Sequence, residues 1–357
     1  MKALSEKQKK QGSASRFLAI LFACIGVVLL LLMVLVIAID PFFQYHAPLN
    51  GFPYVIDDQL SQNPGLARNT TYNAVSLGSS VTTDYHITWF RDLFGVDAVK
   101  LPYNGAYPKD LANAMEQVDR SKNQLKAVFI GVDAAAYSAD VTEIKYPLPK
   151  YLYDRNPFND VNYWFNKDVL TKYVVKPLAK ALLHPNAQQE DPLDYYSNYP
   201  NLIYGEEHVR SVFQLGEKSE TAVSPESIRE PLEKNWEANI RPMLEAHPDA
   251  TFYFYFPPRS ILYWYQLSWQ GTLDAVLYEE ELLVEHLLAY DNVEVHFLQN
   301  DTETITDLSH YTDETHFDQS ISYKVLCMIK DGTYRATFEN YQTYIQELKE
   351  LAETYEP

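Results

Sequence analysis

Phe17 to Ile39 is an uninterrupted apolar run of 23 residues, FLAILFACIGVVLLLLMVLVIAI. A helix of that length spans roughly 34 Å at about 1.5 Å per residue, slightly more than a bilayer core. No second run of comparable length occurs, so the pattern predicts one transmembrane helix over 17–39. Residues 40–71 follow with Pro41, Pro48, Pro53 and Pro64, many aromatics and no sustained period. That stretch reads as an extended neck leaving the membrane.

From residue 72 apolar runs alternate with helical periods. Tyr72–Leu77 and Ala98–Leu101 read as short strands, and Ala127–Val132 (AVFIGV) is continuously apolar, as a buried parallel strand should be. Between them Trp89–Phe94, closed by Gly95, and Tyr107–Asn123 read as helices. Strand, helix, strand, helix, strand at this spacing argues for a parallel sheet with right-handed crossovers and helices on both faces. The rhythm breaks over about 140–225, where Phe158–Asn166 and Val169–Leu183 look helical and 184–208 is acidic, rich in Pro and Tyr, and aperiodic. This reads as an insertion that could lie as a lid over the sheet edge. The α/β pattern resumes with a helix capped by Ser224, with Pro225 at its first position, running to about Ala246. Thr251–Phe256 (TFYFYF) is a fourth strand, Ile261–Tyr290 is largely helical, Val293–Phe297 is a fifth strand, and Asp318–Lys330 is a helix ended at Gly332. Tyr334–Tyr355 is an amphipathic helix. The expectation is therefore a three-layer α/β/α domain over 72–332 with a five-stranded parallel sheet. A cytoplasmic tail (1–16), a transmembrane helix and a neck precede it, and a C-terminal helix (333–357) follows.

Charge gives the chain a direction. Lys2, Lys7, Lys9, Lys10 and Arg16 against Glu6 make the first 16 residues net +4, the apolar run has no charge, and the other 318 residues carry −23 of the total −19. No Lys or Arg occurs between Asp40 and Leu66. The positive-inside rule then places the N-terminus in the cytoplasm and residues 40–357 outside. The rival, a cleaved signal peptide ending near Val36-Ile37-Ala38, needs an apolar core of about 7–15 residues, shorter than this one. An outer domain this acidic is a poor nucleic-acid binder. The two cysteines, Cys24 and Cys327, exclude a disulfide scaffold and a cysteine-based zinc site.

Ligands of open parallel sheets bind beyond the carboxyl ends of the strands. The first strand ends in Gly78-Ser79-Ser80, a small-residue turn that can lift a hydroxyl to the rim at a helix start, or can be an ordinary turn and cap. The last strand is followed by Asp-x-x-His twice, at Asp307/His310 and Asp313/His316. A carboxylate at that spacing can orient a histidine that takes a proton from a serine. The same four side chains could instead ligate zinc or manganese, and a solvated loop is the plain alternative. Tyr263, Trp264, Tyr265 and Trp269, after Pro257-Pro258, could stack on sugar rings or simply pack, and Arg259 could meet an anionic substrate group.

A serine after the first strand and a late Asp-x-x-His on one α/β sheet resemble the SGNH (GDSL-like) hydrolases. The chain resembles most closely their membrane-anchored branch, which includes the D-alanyl-lipoteichoic acid and alginate O-acetylation proteins. Its Asp40-Pro41-Phe42-Phe43-Gln44-Tyr45-His46 segment is similar to that of single-pass members from Gram-positive bacteria. The resemblance implies Ser80 as nucleophile and His316 with Asp313 as its partners, because Phe317 and a periodic helix follow that pair directly. It implies an oxyanion hole from Ser80 N–H and Gly105, with Asn104 as a side-chain substitute. The third block, Gly-x-Asn-Asp in typical members, is Gly131-Val132-Asp133 here, so the oxyanion asparagine is missing. Asp133, Arg259 and Tyr263 are the expected substrate contacts. No metal and no cofactor is expected. The resemblance implies an extracytoplasmic serine esterase or O-acyltransferase acting on an acylated cell-envelope glycan or polymer, beside any integral-membrane acyltransferase partner. The alternative is a non-catalytic glycan-binding or scaffold protein of an envelope acylation complex.

Overall fold

The computed structural model of the chain describes residues 2–133, 135–184, 194, 202–219 and 221–357, with side chains from Ala14 onward. Five strands form one parallel sheet: β1 (Ala74–Gly78), β2 (Ala98–Pro102), β3 (Ala127–Gly131), β4 (Thr251–Phe256) and β5 (Val293–Phe297). Their order is β2-β1-β3-β4-β5, with Val75 beside Val99 and Val128, and Phe254 beside Ile130 and Val295. The first three strands are buried along their whole length, which is why they read as continuous apolar runs.

Period-two alternation sends side chains into two cores. Val75, Leu77, Val128, Ile130, Phe252 and Phe254 meet α2 (Gln59–Asn69), α4 (Pro108–Asp119) and the helical stretches 226–246 and 273–287. Ala74, Ala98, Phe129 and Tyr255 face α3 (Ile87–Phe94) and the helix Gln319–Asp331. Helices on both faces make a three-layer α/β/α domain, as the element pattern predicts. It is preceded by a single long helix, α1 (Lys2–Ile39), whose segment from Ala14 is long and apolar enough to cross a membrane.

Three local expectations need correction, and the largely helical stretch 261–290 gains a break. The neck is not an extended connector throughout, because it contains α2, capped by the Asp58 side chain accepting from Ser61 N–H. The buried face of α2 includes amides instead of a purely apolar stripe, so no hydrophobic period announces it. Gln62 donates to the carbonyls of Pro41 and Val55, and Asn63 donates to that of Pro102. Gly65 lets the Phe42–Phe43 backbone cross the helix, since a Cβ there would lie 2.0 Å from the Phe42 carbonyl oxygen. The final helix begins at Tyr341, not Tyr334. Tyr334 has φ +50°, its carbonyl accepts from Phe297 N–H, and Ala336 N–H donates to Val295, so these residues border β5 instead of coiling. Ser224 does not cap the helix after it by its side chain. Pro225 is the cap residue, and the Ser224 carbonyl accepts from Ser227. The stretch 261–290 is two helices parted at Gly271, which has φ +67°.

Of the expected insertion, residues 185–193 and 195–201 lie outside the described residues, so the expectation of a lid there has no structural account. The described part builds a collar on the end of α1. Val36, Ile39 and Phe42 pack with Leu152, Tyr163, Val169, Tyr173 and Val174. Asp40, fully buried with φ +47°, accepts from the N–H groups of Gln44, Tyr45 and His46 and from the Tyr163 hydroxyl. The ring of His46 and the hydroxyl of Tyr54 reach the Ile37 and Ile39 carbonyls, which the helix end leaves unpaired.

Candidate active site

The crossover reverses between β1 and β3, and there the loops after both strands diverge to leave a crevice at the carboxyl edge. Gly78, at φ +145°, turns the chain there. A Cβ on it would lie 2.5 Å from Thr82 Cγ2, and one on Gly131 would lie 2.7 Å from the same methyl. Thr82 thus wedges between the ends of β1 and β3, and only glycines allow it. Ser79 is buried, and Ser80 opens a three-residue 3₁₀ turn, Ser80–Thr82. Ser80 thus opens a 3₁₀ turn and not an α-helix, and α3, which covers the expected Trp89–Phe94, begins at Ile87. The reason is local competition, because the Thr82 and Thr83 hydroxyls donate to the Ser79 and Ser80 carbonyls.

His316 comes to Ser80 on a loop pinned at both ends. Tyr311 and Phe317 form an antiparallel bridge, the buried Tyr311 hydroxyl donates to Pro258, and Ser260 donates twice to the Glu314 carbonyl. Ser80 Oγ lies 2.7 Å from His316 Nε2, and His316 Nδ1 lies 2.8 Å from Asp313 Oδ2. With Nδ1–H directed at the carboxylate, Nε2 is left to accept the serine proton. Burial pushes the Asp313 carboxyl up. The hydrogen bonds from the His316 ring and from the N–H groups of His316 and Thr315 outweigh burial and hold it below the usual aspartate value.

The crevice beside them encloses about 290 Å³, and its walls include Ser80, Gly105, Asp133, Ala135, Arg259 and Thr315. Gly105, at φ +66°, sits in the turn after β2 and brings its backbone to the cavity. Asn104 does not belong to that wall. Its side-chain oxygen accepts from Gln59 Nε2 and its backbone N–H donates to Gln59 Oε1, which turns it away from the cleft. Asp133 and Arg259 form an ion pair in the wall, both side chains largely buried. Tyr263 is not on the wall either. Its ring lies 4.6 Å beneath the Arg259 guanidinium and acts as a platform for it. Trp264 is fully buried, so the aromatic cluster after β4 is largely packing.

The other Asp-x-x-His does not form a pair. Asp307 accepts from Ser309 N–H, while His310 Nδ1 lies 2.8 Å from Asp318, the cap of the following helix. Among the described residues no group of three or more His, Cys, Asp or Glu side chains is placed to hold a metal ion. The metal reading of Asp307, His310, Asp313 and His316 therefore finds no cluster.

Three acidic residues near the site escape sequence reasoning. Glu279 is buried and accepts from the N–H groups of Tyr137 and Ser138, clasping the loop after β3, in which Ala135 has φ +64°. Burial pushes the neighbouring Glu280 up to about 8, and Gln299 Nε2 donates to it at 2.6 Å. Burial likewise raises Asp84 to about 6, in a crevice shared with Ser80 and His316. Glu279-Glu280-Glu281 looks like a solvated helix face, and no signal in the sequence separates the first two from the third.

No protein-family model and no curated protein matches the chain. Among solved structures, one described as "a putative platelet activating factor from Streptococcus pneumonia" aligns over 77% of this chain and 91% of its own, at 13% identity and a TM-score of 0.39.

Proposed function

We propose that the chain is a membrane-tethered serine esterase or O-acyltransferase in which Ser80 is the nucleophile, His316 the general base and then acid, and Asp313 the carboxylate that orients His316. The observation that carries this reading is the unbroken line of hydrogen bonds from Ser80 Oγ through the His316 ring to Asp313. Ser80 Oγ bonds to the ester carbonyl carbon as its proton passes to His316 Nε2. The carbonyl π electrons move to oxygen, where Ser80 N–H and Gly105 N–H are the backbone donors. Collapse breaks the ester C–O bond, and the proton on Nε2 goes to the leaving alkoxide. Water, or the hydroxyl of a sugar or polyol, then repeats the steps in reverse on the acyl-serine. Loss of one oxyanion donor costs about 2.7–4 kcal/mol, and the third-block asparagine is absent. The Arg259 guanidinium, on the same wall, is the cationic donor left to face the developing charge.

The basic N-terminal tail and the apolar helix support an anchor with the domain outside the cytoplasm, where acylated envelope polymers are the accessible esters. The second reading, a non-catalytic glycan-binding or scaffold protein, is favoured by one observation: Asp133, in the third-block position, is tied to Arg259 and offers no amide. A serine-directed fluorophosphonate separates the two. Labelling of Ser80, together with turnover of a simple aryl ester, supports the enzyme. A protein that takes no label and hydrolyses no aryl ester is the scaffold.

A further inference from the structure

A larger cavity, about 760 Å³, opens at the other edge of the sheet. Thr70, Thr71 and Ser121–Asn123, which precede β1 and β3, form part of its wall, so it lies at the amino ends of the strands, away from Ser80. Four cations line it, Arg68, Arg120, Lys122 and Arg155, against two carboxylates. Asp160 offsets part of the Arg68 charge and Glu116, outside the lining, pairs with Arg120, which still leaves the wall net positive. Asp154 accepts from Asn156 and Asn159 of its own loop, and Asp160 accepts from the Tyr45 hydroxyl. The half-buried Arg68 spends its hydrogen bonds on neutral oxygens, those of Gln117, Gln44, Leu152 and Asp154 C=O, and has no carboxylate partner among the described residues. In an outer domain carrying −23 overall, a concave wall on which cations still outnumber carboxylates, with Lys122 and Arg155 exposed, is an exception that suits a further anion. Burial, then the charges of Arg120 and Arg155, depress Arg68 below its ordinary value, and the Asp160 charge offsets only part of that.

The position narrows the ligand. Gln44 and Tyr45 line the cavity and follow the end of α1 by five and six residues, which puts the cavity within roughly 20 Å of the membrane exit. Planar guanidinium forks suit phosphate oxygens, and the volume accommodates a phosphodiester with its substituents.

We propose that this cavity is a phosphate-binding site, taking a phosphodiester or phosphate group at the membrane-facing root of the domain. It is independent of the Ser80 centre.

The full chain in a neutral detergent tests it by thermal unfolding. Inorganic phosphate and dihexanoyl phosphatidylglycerol are titrated separately, against salt-matched chloride and dihexanoyl phosphatidylcholine. At least one of the two phosphates should raise the midpoint saturably. A response to phosphatidylglycerol alone identifies a lipid headgroup as the source, and a response to inorganic phosphate alone identifies a soluble phosphate. Arg155→Gln with Lys122→Gln, both exposed positions, should weaken binding at least tenfold while leaving the circular-dichroism spectrum unchanged. Ser80→Ala should respond as the unsubstituted chain does. The proposal is overturned if neither phosphate acts beyond its control, if the double variant keeps full affinity, or if Ser80→Ala loses the response.

Discussion

Ser80 and His316 stand 236 residues apart in the chain, yet Ser80 Oγ and His316 Nε2 are within 2.7 Å. Two separate devices produce that contact: the Thr82 wedge between two glycines fixes the serine turn, and the Tyr311–Phe317 bridge fixes the histidine loop. Neither device is itself catalytic, so the pairing is a property of the fold.

Ser80→Ala and His316→Ala should each reduce aryl-ester turnover by about a thousandfold or more and abolish fluorophosphonate labelling. The double variant should lose little beyond either single one, because such residues act as a unit. Additive losses in kcat would remove the shared mechanism.

Asp313→Asn should cost about 10⁴ in kcat by favouring the wrong tautomer, while leaving the melting temperature nearly unchanged. His310→Ala and Asp307→Ala should leave kcat within a few fold. Asp318→Ala, which removes a helix cap, should cost about 1 kcal/mol in a urea titration without touching the chemistry.

The Asp133–Arg259 pair is largely buried, so truncating either partner leaves a charge without its counter-ion. Arg259→Ala should destabilise the domain by about 3 kcal/mol. Asp133→Ala with Arg259→Ala should be clearly less destabilised than the two single losses combined. A denaturant double-mutant cycle reads the difference, and strict additivity would mean the pair is not coupled.

Glu280 gives stability a defined pH dependence. Its ordinary value is 4.5 and burial raises it to about 8 in the folded protein. The folded state therefore holds a proton that the unfolded state releases. Its contribution is full below pH 4.5, declines as pH rises, and is gone once pH has passed through about 8. Glu280→Gln should flatten this part of the curve, so the variant gains on the parent protein between pH 5 and 9. Parallel curves for the two proteins would exclude Glu280 as the source.

Protease added to intact cells should digest the chain beyond Asp40 and spare the basic N-terminal tail. Protection of the large domain until the cells are opened would reverse the proposed topology and remove envelope polymers as substrates.

What the sequence made legible follows from how each element is stabilised. Val128, Ile130, Phe252 and Phe254 are apolar on a sheet buried from both sides, so β3 and β4 are visible as runs. The motif spacing offers two Asp-x-x-His pairs, and it is the family resemblance that singles out Ser80, Asp313 and His316; neither supplies the geometry that joins them. α2 was hidden because Gln62 and Asn63 are buried through satisfied amides. The true start of the last helix was hidden because residues 334–336 border β5 through backbone bonds, which leave no side-chain pattern. Asn104 is held by Gln59, which lies on an element that periodicity does not reveal.

The collar around Asp40 has a mechanical meaning. A flexible tether would let the domain sample a hemisphere of positions above the bilayer. Here α1 runs into a buried carboxylate clasped by three N–H groups and a tyrosine hydroxyl, with Val36 and Ile39 packed into the domain itself. Height and tilt are then set by the helix and not by a linker. On the proposed membrane-tethered reading, an ester substrate would be met at one fixed elevation, in a two-dimensional search in the plane of the membrane.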